Sequence, residues 1–389
     1  MVGVAWALLV VNTLGSQQVV TVLSIPRPVM QVVTMGSMAV AFVLALLVNP
    51  RVRIRPSAYL LLLTLLALMS VVGSSSLESG LGALFRWGRL MIFVATLWLL
   101  SYWWDGTLTL VRKHIKALMA VLVTVAAGLV VAPGLALPDE YGGRLVGAVW
   151  PIAAPQVGQY AAVAAGLVFV LWLSKSTDAR SAVLIGGPAV VLLLLSHTRT
   201  ATIGLLVGLA VASLSLLLTS VRARRAFTRG IICVGVVAVA FGPAVEAWLQ
   251  RGQDSENFAS LTGRAKTWDA LLAAPRTWAE QTFGVGLSNK SFNGLPIDNS
   301  WLSVYHEQGL VGVVLVALFV ITLLMVAALR PPSPSRACAI FLIVYCIASS
   351  YTESGLGDAS PYLLHLVVAA SLCVPTASNS PKPLQRSVE

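Results

Sequence analysis

Gly312-Val313-Val314-Leu315-Val316-Ala317-Leu318-Phe319-Val320-Ile321-Thr322-Leu323-Leu324-Met325-Val326-Ala327-Ala328-Leu329 runs without a charged side chain, and its only hydroxyl is Thr322. A charge-free stretch of this length reads as a helix that enters lipid, because about 20 apolar residues span a bilayer core. The pattern repeats in Tyr59–Val72 and Leu90–Leu100. Such runs are too apolar and too frequent for one water-soluble core. Composition agrees: the chain has 389 residues, 57% hydrophobic and 11% charged, against about 25% charged residues in soluble domains. The formal net charge of +11 would ordinarily suggest an acidic partner such as nucleic acid. Here the charges sit in short clusters between apolar runs, so no folded soluble domain carries a basic patch for nucleic acid. A disordered chain, a secreted disulfide scaffold and a Rossmann-type enzyme are excluded on the same grounds.

The reading is an all-α polytopic membrane protein. About twelve spans are expected, over residues 2–22, 29–49, 57–74, 81–101, 115–133, 157–174, 182–197, 200–219, 230–247, 300–329, 337–350 and 361–375. No cation precedes Arg27, so the N-terminal run reads as a retained helix rather than a cleaved signal. With both termini cytoplasmic, the inner segments hold Arg51, Arg53, Arg55, Arg112, Lys113, Lys116, Lys175, Arg180, Arg222, Arg224, Arg225, Arg229, Arg330, Arg336, Lys382 and Arg386. Those are sixteen of the 26 Lys and Arg, against only Asp105, Asp178 and Glu389. Every inner loop is then basic, as the positive-inside rule requires. Residues 1–375 form one membrane domain, and 376–389 form a polar, disordered cytoplasmic tail.

Two outer loops are long. Residues 134–156 carry Pro138, Pro151 and Pro155, and residues 248–299 form the large extracytoplasmic loop. Within the latter, Thr262 precedes a short amphipathic helix over 263–274, with Ala265, Trp268, Leu271 and Leu272 at helical spacing. Trp150, Trp248, Trp268, Trp278 and Trp301 read as interfacial anchors, with sugar stacking as the other use of such rings. Cys233, Cys338, Cys346 and Cys373 lie in apolar runs and read as buried, reduced thiols.

Ionisable groups at membrane depth are functional candidates because they are costly there. Arg86 and Arg89 share one helical face in the outer half of the fourth span. Arg199 sits in the polar turn Ser196-His197-Thr198-Arg199-Thr200, Arg144 in the first long outer loop, and Arg264 at the start of the amphipathic helix. Each could instead snorkel or pair with Glu78, Glu140 or Glu353. Together they suit phosphate oxygens, because guanidinium forks match that geometry and stay charged. In the segment Asp298-Asn299-Ser300-Trp301-Leu302-Ser303-Val304-Tyr305-His306-Glu307-Gln308-Gly309, Asp298 is placed to cap the next helix. His306 and Glu307 enter its upper turns, and Gly309 and Gly312 permit close backbone approach. Glu353 and Asp358 add outer acidity of unassigned role. No metal-ligand spacing is present.

Three signatures in order resemble the O-antigen ligase/polymerase superfamily. They are Thr198-Arg199-Thr200-Ala201, Gly263-Arg264 to Trp268 followed by Gly284-Val285-Gly286-Leu287-Ser288-Asn289, and the set Asn299, Leu302, Glu307, Gly309 and Gly312. They cover about residues 196–315. The resemblance implies a bacterial plasma-membrane glycosyltransferase, without metal or cofactor. It would move a glycan from a polyprenyl-diphosphate donor to a glycan or other cell-envelope acceptor. It assigns Arg199 and Arg264 to the diphosphate, with Arg86, Arg89 and Arg144 as further candidates. The family's histidine base falls on Asp298; His306 is the alternative base, about 12 Å lower along a helix, and Glu307 a supporting residue. Two other readings are a transporter or flippase of lipid-linked sugar or anion, which would place ionisable groups near the midplane, and a non-catalytic envelope scaffold.

Overall fold

The computed structural model describes residues 1–15, 19–75, 80–217, 220–250, 264–288 and 290–375. The expected tail at 376–389, Glu78, Thr262, Gly263 and Asn289 therefore lie outside the described residues. The helices are α1 (Val2–Asn12), α2 (Arg27–Val48), α3 (Ala58–Ser74), α4 (Gly80–Ser101), α5 (Thr109–Val131), α6 (Pro133–Ala136), α7 (Ala154–Leu173), α8 (Ala179–Leu195), α9 (Arg199–Leu216), α10 (Val221–Gln250), α11 (Arg264–Ala273), α12 (Trp278–Phe283), α13 (Ser300–Leu329), α14 (Pro334–Ser349) and α15 (Pro361–Leu372). A two-residue hairpin, β1 (Ser291–Phe292) with β2 (Leu295–Pro296), is the only sheet among the described residues.

Among the described residues, six helices are long and apolar enough to cross a membrane: α2, α4, α5, α7, α9 and α13. Helices α1, α3, α8, α14 and α15 are apolar but shorter. The first expected span is cut short. Helix α1 ends at Asn12, whose amide donates to Thr34 O of α2 at 2.8 Å, and Thr13 caps it. The ninth lies inside α10, which is kinked at Phe241, two residues before Pro243. Cys233 on α10 is exposed, unlike the buried Cys338 and Cys346, because its helix turns an apolar face outward with Ile232, Val236 and Val239.

Helices α7 and α15 form the centre. In α15 every residue from Tyr362 to Leu372 is buried, and a helix apolar on all sides has only such a place in a bundle. Small residues set the spacing. A Cβ on Gly166 of α7 would lie 2.0 Å from Cζ of Phe341, and one on Gly208 of α9 3.0 Å from its Cδ2. The Phe341 ring of α14 thus fills a slot cut by two glycines. Helices α14 and α15 each start at a proline after a capping serine: Ser333 accepts from Arg336 N and Ser360 from Leu363 N.

One end of the bundle gathers the basic loops. Arg55 donates to Trp104 O, Ser335 to Gly106 O (3.0 Å), Arg222 to Trp172 O (2.8 Å) and Arg330 to Leu372 O (2.6 Å). At the other end α13 breaks. Gly309 has φ 66°, in the left-handed region. The break frees backbone carbonyls for the turn after α12: Val285 N donates to His306 O (3.0 Å) and Gly286 N to Glu307 O (3.1 Å). The turn also wedges against α3, where Leu287 N donates to Ser74 Oγ at 3.1 Å.

Candidate functional site: a cation-lined cavity

A cavity of about 1280 Å³ opens at the end opposite the basic loops. Its walls are the C-terminal turn of α1, the N-terminal turns of α2, α4 and α7, the loop after α6, and the segments before α13 and α15. Helix N-termini and loops converge there, so the walls are polar while the bundle beneath is apolar. The volume exceeds the roughly 300–1,000 Å³ of an ordinary small-molecule pocket.

Six cations line it: Arg27, Arg86, Arg89, Arg144, Arg264 and Lys290. Three carboxylates, Asp298, Glu353 and Asp358, share the wall. Five of these cations are braced by protein groups. Arg264 Nε lies 3.2 Å from Asp298 Oδ2, and Lys290 Nζ lies 3.8 Å from Asp358 Oδ2. Arg144 donates to Ser196 O (3.2 Å) and Thr198 Oγ1 (3.4 Å), which ties it to the turn that launches α9. Arg89 donates to Asn12 O (3.0 Å), and Arg86 to Leu287 O (3.4 Å). The buried Nε of Arg89 has no hydrogen-bond partner among the described residues. Burial lowers Arg144 from the ordinary guanidinium range, opposed by Glu353 and reinforced by Arg264 and Arg199. Partly desolvated cations that repel one another are relieved by an anion between them.

The structure therefore brings Arg86, Arg89, Arg144, Arg264 and Asp298 to one cavity. Arg199 opens α9 beside them, within electrostatic reach of Arg144 and Arg264. Asp298 does not cap α13. It sits at φ 36° facing Arg264, and Asn299 is the cap, accepting from Trp301 N and Leu302 N. An amide one residue closer to the helix start reaches both N–H groups, and Asp298 is left to the guanidinium.

His306 and Glu307 do not line the cavity. His306 Nδ1 accepts from Arg276 Nη2 at 3.1 Å, and its ring meets Phe292 edge-on. Glu307 Oε1 accepts from Ser288 N (2.9 Å), Ser288 Oγ (2.8 Å) and Lys290 N (3.0 Å), so this carboxylate holds the turn that carries Lys290. Two of the tryptophans are engaged by the protein itself. Trp268 is 9% exposed, donates to Ile297 O at 2.7 Å and packs on Tyr351, which locks α11 in place. Trp301 donates to Ser350 Oγ at 3.0 Å. Trp278, by contrast, is 74% exposed. On α11 Leu271 points inward with Trp268, while Leu272 points out.

Arg27, Lys290, Asn12, Gln156 and Gln159 also line the cavity and were not singled out in the sequence. A signal for the two cations was present. Ten Lys and Arg fall outside the basic inner loops, and six of those ten meet here. Below the floor runs a buried hydrogen-bonded chain. Trp6 Nε1 donates to His114 Nδ1 (3.1 Å), and His114 Nε2 meets His365 Nδ1 (2.9 Å). His365 Nε2 faces the Gln159 amide (3.3 Å). The indole can only donate, which puts the His114 proton on Nε2 and the His365 proton on its own Nε2. The Gln159 amide must then present its oxygen there. Among the described residues no three His, Cys, Asp or Glu side chains converge in a metal-binding group.

No family model matches the chain, and a comparison with curated proteins finds no match.

Proposed function

We propose that the protein is a membrane glycosyltransferase of the O-antigen ligase/polymerase kind. It moves a glycan from a polyprenyl-diphosphate donor to an acceptor hydroxyl at the extracytoplasmic face of a bacterial plasma membrane. The observation that carries this reading is the cavity with six cations at the end away from the basic loops. Arg264 and Arg144, with Arg199 beside them, would hold the diphosphate and stabilise the charge left on it when the sugar departs. Arg86, Arg89 and Arg27 line the α2–α4 side and extend the anionic footprint. A carboxylate of the cavity takes the acceptor proton, and Asp298 is the one that the resemblance designates.

The test is glycan analysis of a deletion strain carrying each variant. Arg264→Ala and Arg144→Ala should each cut product by about 10²-fold or more, the cost of removing one group that stabilises developing charge. Protein levels in the membrane should stay normal. Accumulated single repeat units would identify a polymerase, and long unattached chains a ligase. Unchanged product in both variants would sink the reading.

Carriage of a lipid-linked sugar is the second reading, and the His114–His365 contact favours it by placing polar side chains inside the bundle. Labelled lipid crossing vesicles without product would favour carriage.

A further inference from the structure

Resting on the transferase reading, we infer that Glu353, rather than Asp298, is the base that accepts the proton of the attacking hydroxyl. Asp298 is then a positioning residue that aims Arg264.

The inference starts from what each carboxylate touches. Asp298 is engaged: its Oδ2 lies 3.2 Å from Arg264 Nε. A carboxylate in a guanidinium pair is a poor proton acceptor, because protonation would abandon the pair. Asp358 is engaged with Lys290 at 3.8 Å. Glu307 faces the turn at 288–290 and is outside the cavity. Glu353 lines the same wall, and among the described residues its carboxylate forms no ion pair.

The backbone around Glu353 is fixed from both sides. Its N–H donates to Ser349 O (3.0 Å), and its carbonyl accepts from Ser300 Oγ (2.7 Å), which also accepts from Gly355 N (3.0 Å). The side chain is thus held on a rigid corner between α14 and α15, as a base needs to be. The groups that face it come from every neighbouring element: Arg144 from the loop after α6, Arg264 from α11, Asp298 before α13, Tyr345 from α14 and Tyr362 from α15. Arg199 on α9 stands next to the same corner, through the contact of Thr200 with Thr352. Burial raises the Glu353 carboxyl to about 7, against the pull of Arg264, with repulsion from Asp298 and a weaker pull from Arg144. A base with an affinity near neutral is matched to the working pH.

The step balances as a single displacement. The acceptor O–H bond breaks, and its proton goes to a Glu353 carboxylate oxygen. The acceptor oxygen bonds to the anomeric carbon, and the bond from that carbon to the donor phosphate oxygen breaks. Its electron pair leaves on the lipid diphosphate beside Arg264 and Arg144, and Glu353 later releases the proton to water.

The experiment uses the full chain in nanodiscs. Turnover is read with polyprenyl-diphosphate glycans extracted from the deletion strain, and binding is read separately with geranylgeranyl diphosphate. Glu353→Gln should bind geranylgeranyl diphosphate as wild type does, yet lose about 10²–10⁴-fold in kcat. Wild-type kcat/KM should rise with pH through about 7, the affinity of the Glu353 carboxyl in the free protein, as the carboxylate becomes free to accept. In Glu353→Gln that limb should vanish. Asp298→Asn should instead weaken geranylgeranyl diphosphate binding and raise the donor KM, with the pH limb kept. Wild-type turnover in Glu353→Gln overturns the assignment alone. Loss of binding together with turnover marks the side chain as structural and also overturns it. Absence of product from the wild type overturns the transferase reading and the base assignment with it.

Discussion

At Glu307 a single carboxylate oxygen accepts three hydrogen bonds within 3.0 Å, all from the turn at 288–290. The residue stands 2% exposed in a break of the longest apolar helix. A carboxyl group so buried is tolerated only with such partners. Glu307→Ala strands the Ser288 and Lys290 N–H groups, at about 1–3 kcal/mol for each buried donor left unmade. Thermal melting in detergent should drop accordingly, and proteolysis within 284–296 should quicken. Glu307→Gln, which keeps an acceptor oxygen, should fall less. Melting of Glu307→Ala at the wild-type temperature would contradict this role. In the sequence this residue was visible as a carboxylate too deep to be casual. Its partners were not, because they depend on where the turn folds back.

Among the elements, the apolar runs were readable as helices, since sustained hydropathy is a strong local signal, although six of the described helices reach bilayer length against the twelve spans expected. The ends were less so. Asn12 stops α1 through a bond to α2, a partner 22 residues away, and Gly309 breaks α13 only because the turn after α12 docks there. A Cβ on Gly309 would lie 2.3 Å from the Thr282 carbonyl carbon. The Phe341 slot belongs to the same scale. Gly166→Ala drives a methyl into the ring, and overpacking of that kind costs about 1–3 kcal/mol. Phe341→Leu alone leaves a void, but in the Gly166→Ala background it should recover stability. A double-mutant cycle read by thermal melting should show favourable coupling; strict additivity would argue that the slot does not set the spacing of α7, α9 and α14.

For the whole molecule, charge separates the two ends. Arg55, Arg222 and Arg330 tie the loops of one end, while the cavity sits at the other. In a cysteine-free parent, Val52→Cys and Trp278→Cys offer exposed probes of the two ends. With the basic loops cytoplasmic, a membrane-impermeant maleimide should label position 278 in intact cells and position 52 only after permeabilisation. The reverse pattern would invert the topology. Five of the cavity groups, Arg86, Arg89, Arg144, Arg264 and Asp298, were legible as outer charges out of keeping with apolar surroundings. Their convergence was not, because Arg89 meets Asn12 across 77 residues and Arg86 meets Leu287 across 201. The His114–His365 contact joins residues 251 apart and left no local trace.

The break in α13 also measures depth. The whole helix of 30 residues would be about 45 Å long at 1.5 Å per residue, well beyond a hydrocarbon core of about 30 Å. Divided at Gly309, it leaves Leu310–Leu329, about 20 residues or 30 Å, to match that core. The shorter upper piece, with Glu307 and the turn bearing Lys290, then stands at the height of the lipid head groups. On the proposed function, a lipid diphosphate anchored in that leaflet would present its head group at the level of the cavity's arginines and reach them by sliding sideways rather than by rising out of the membrane.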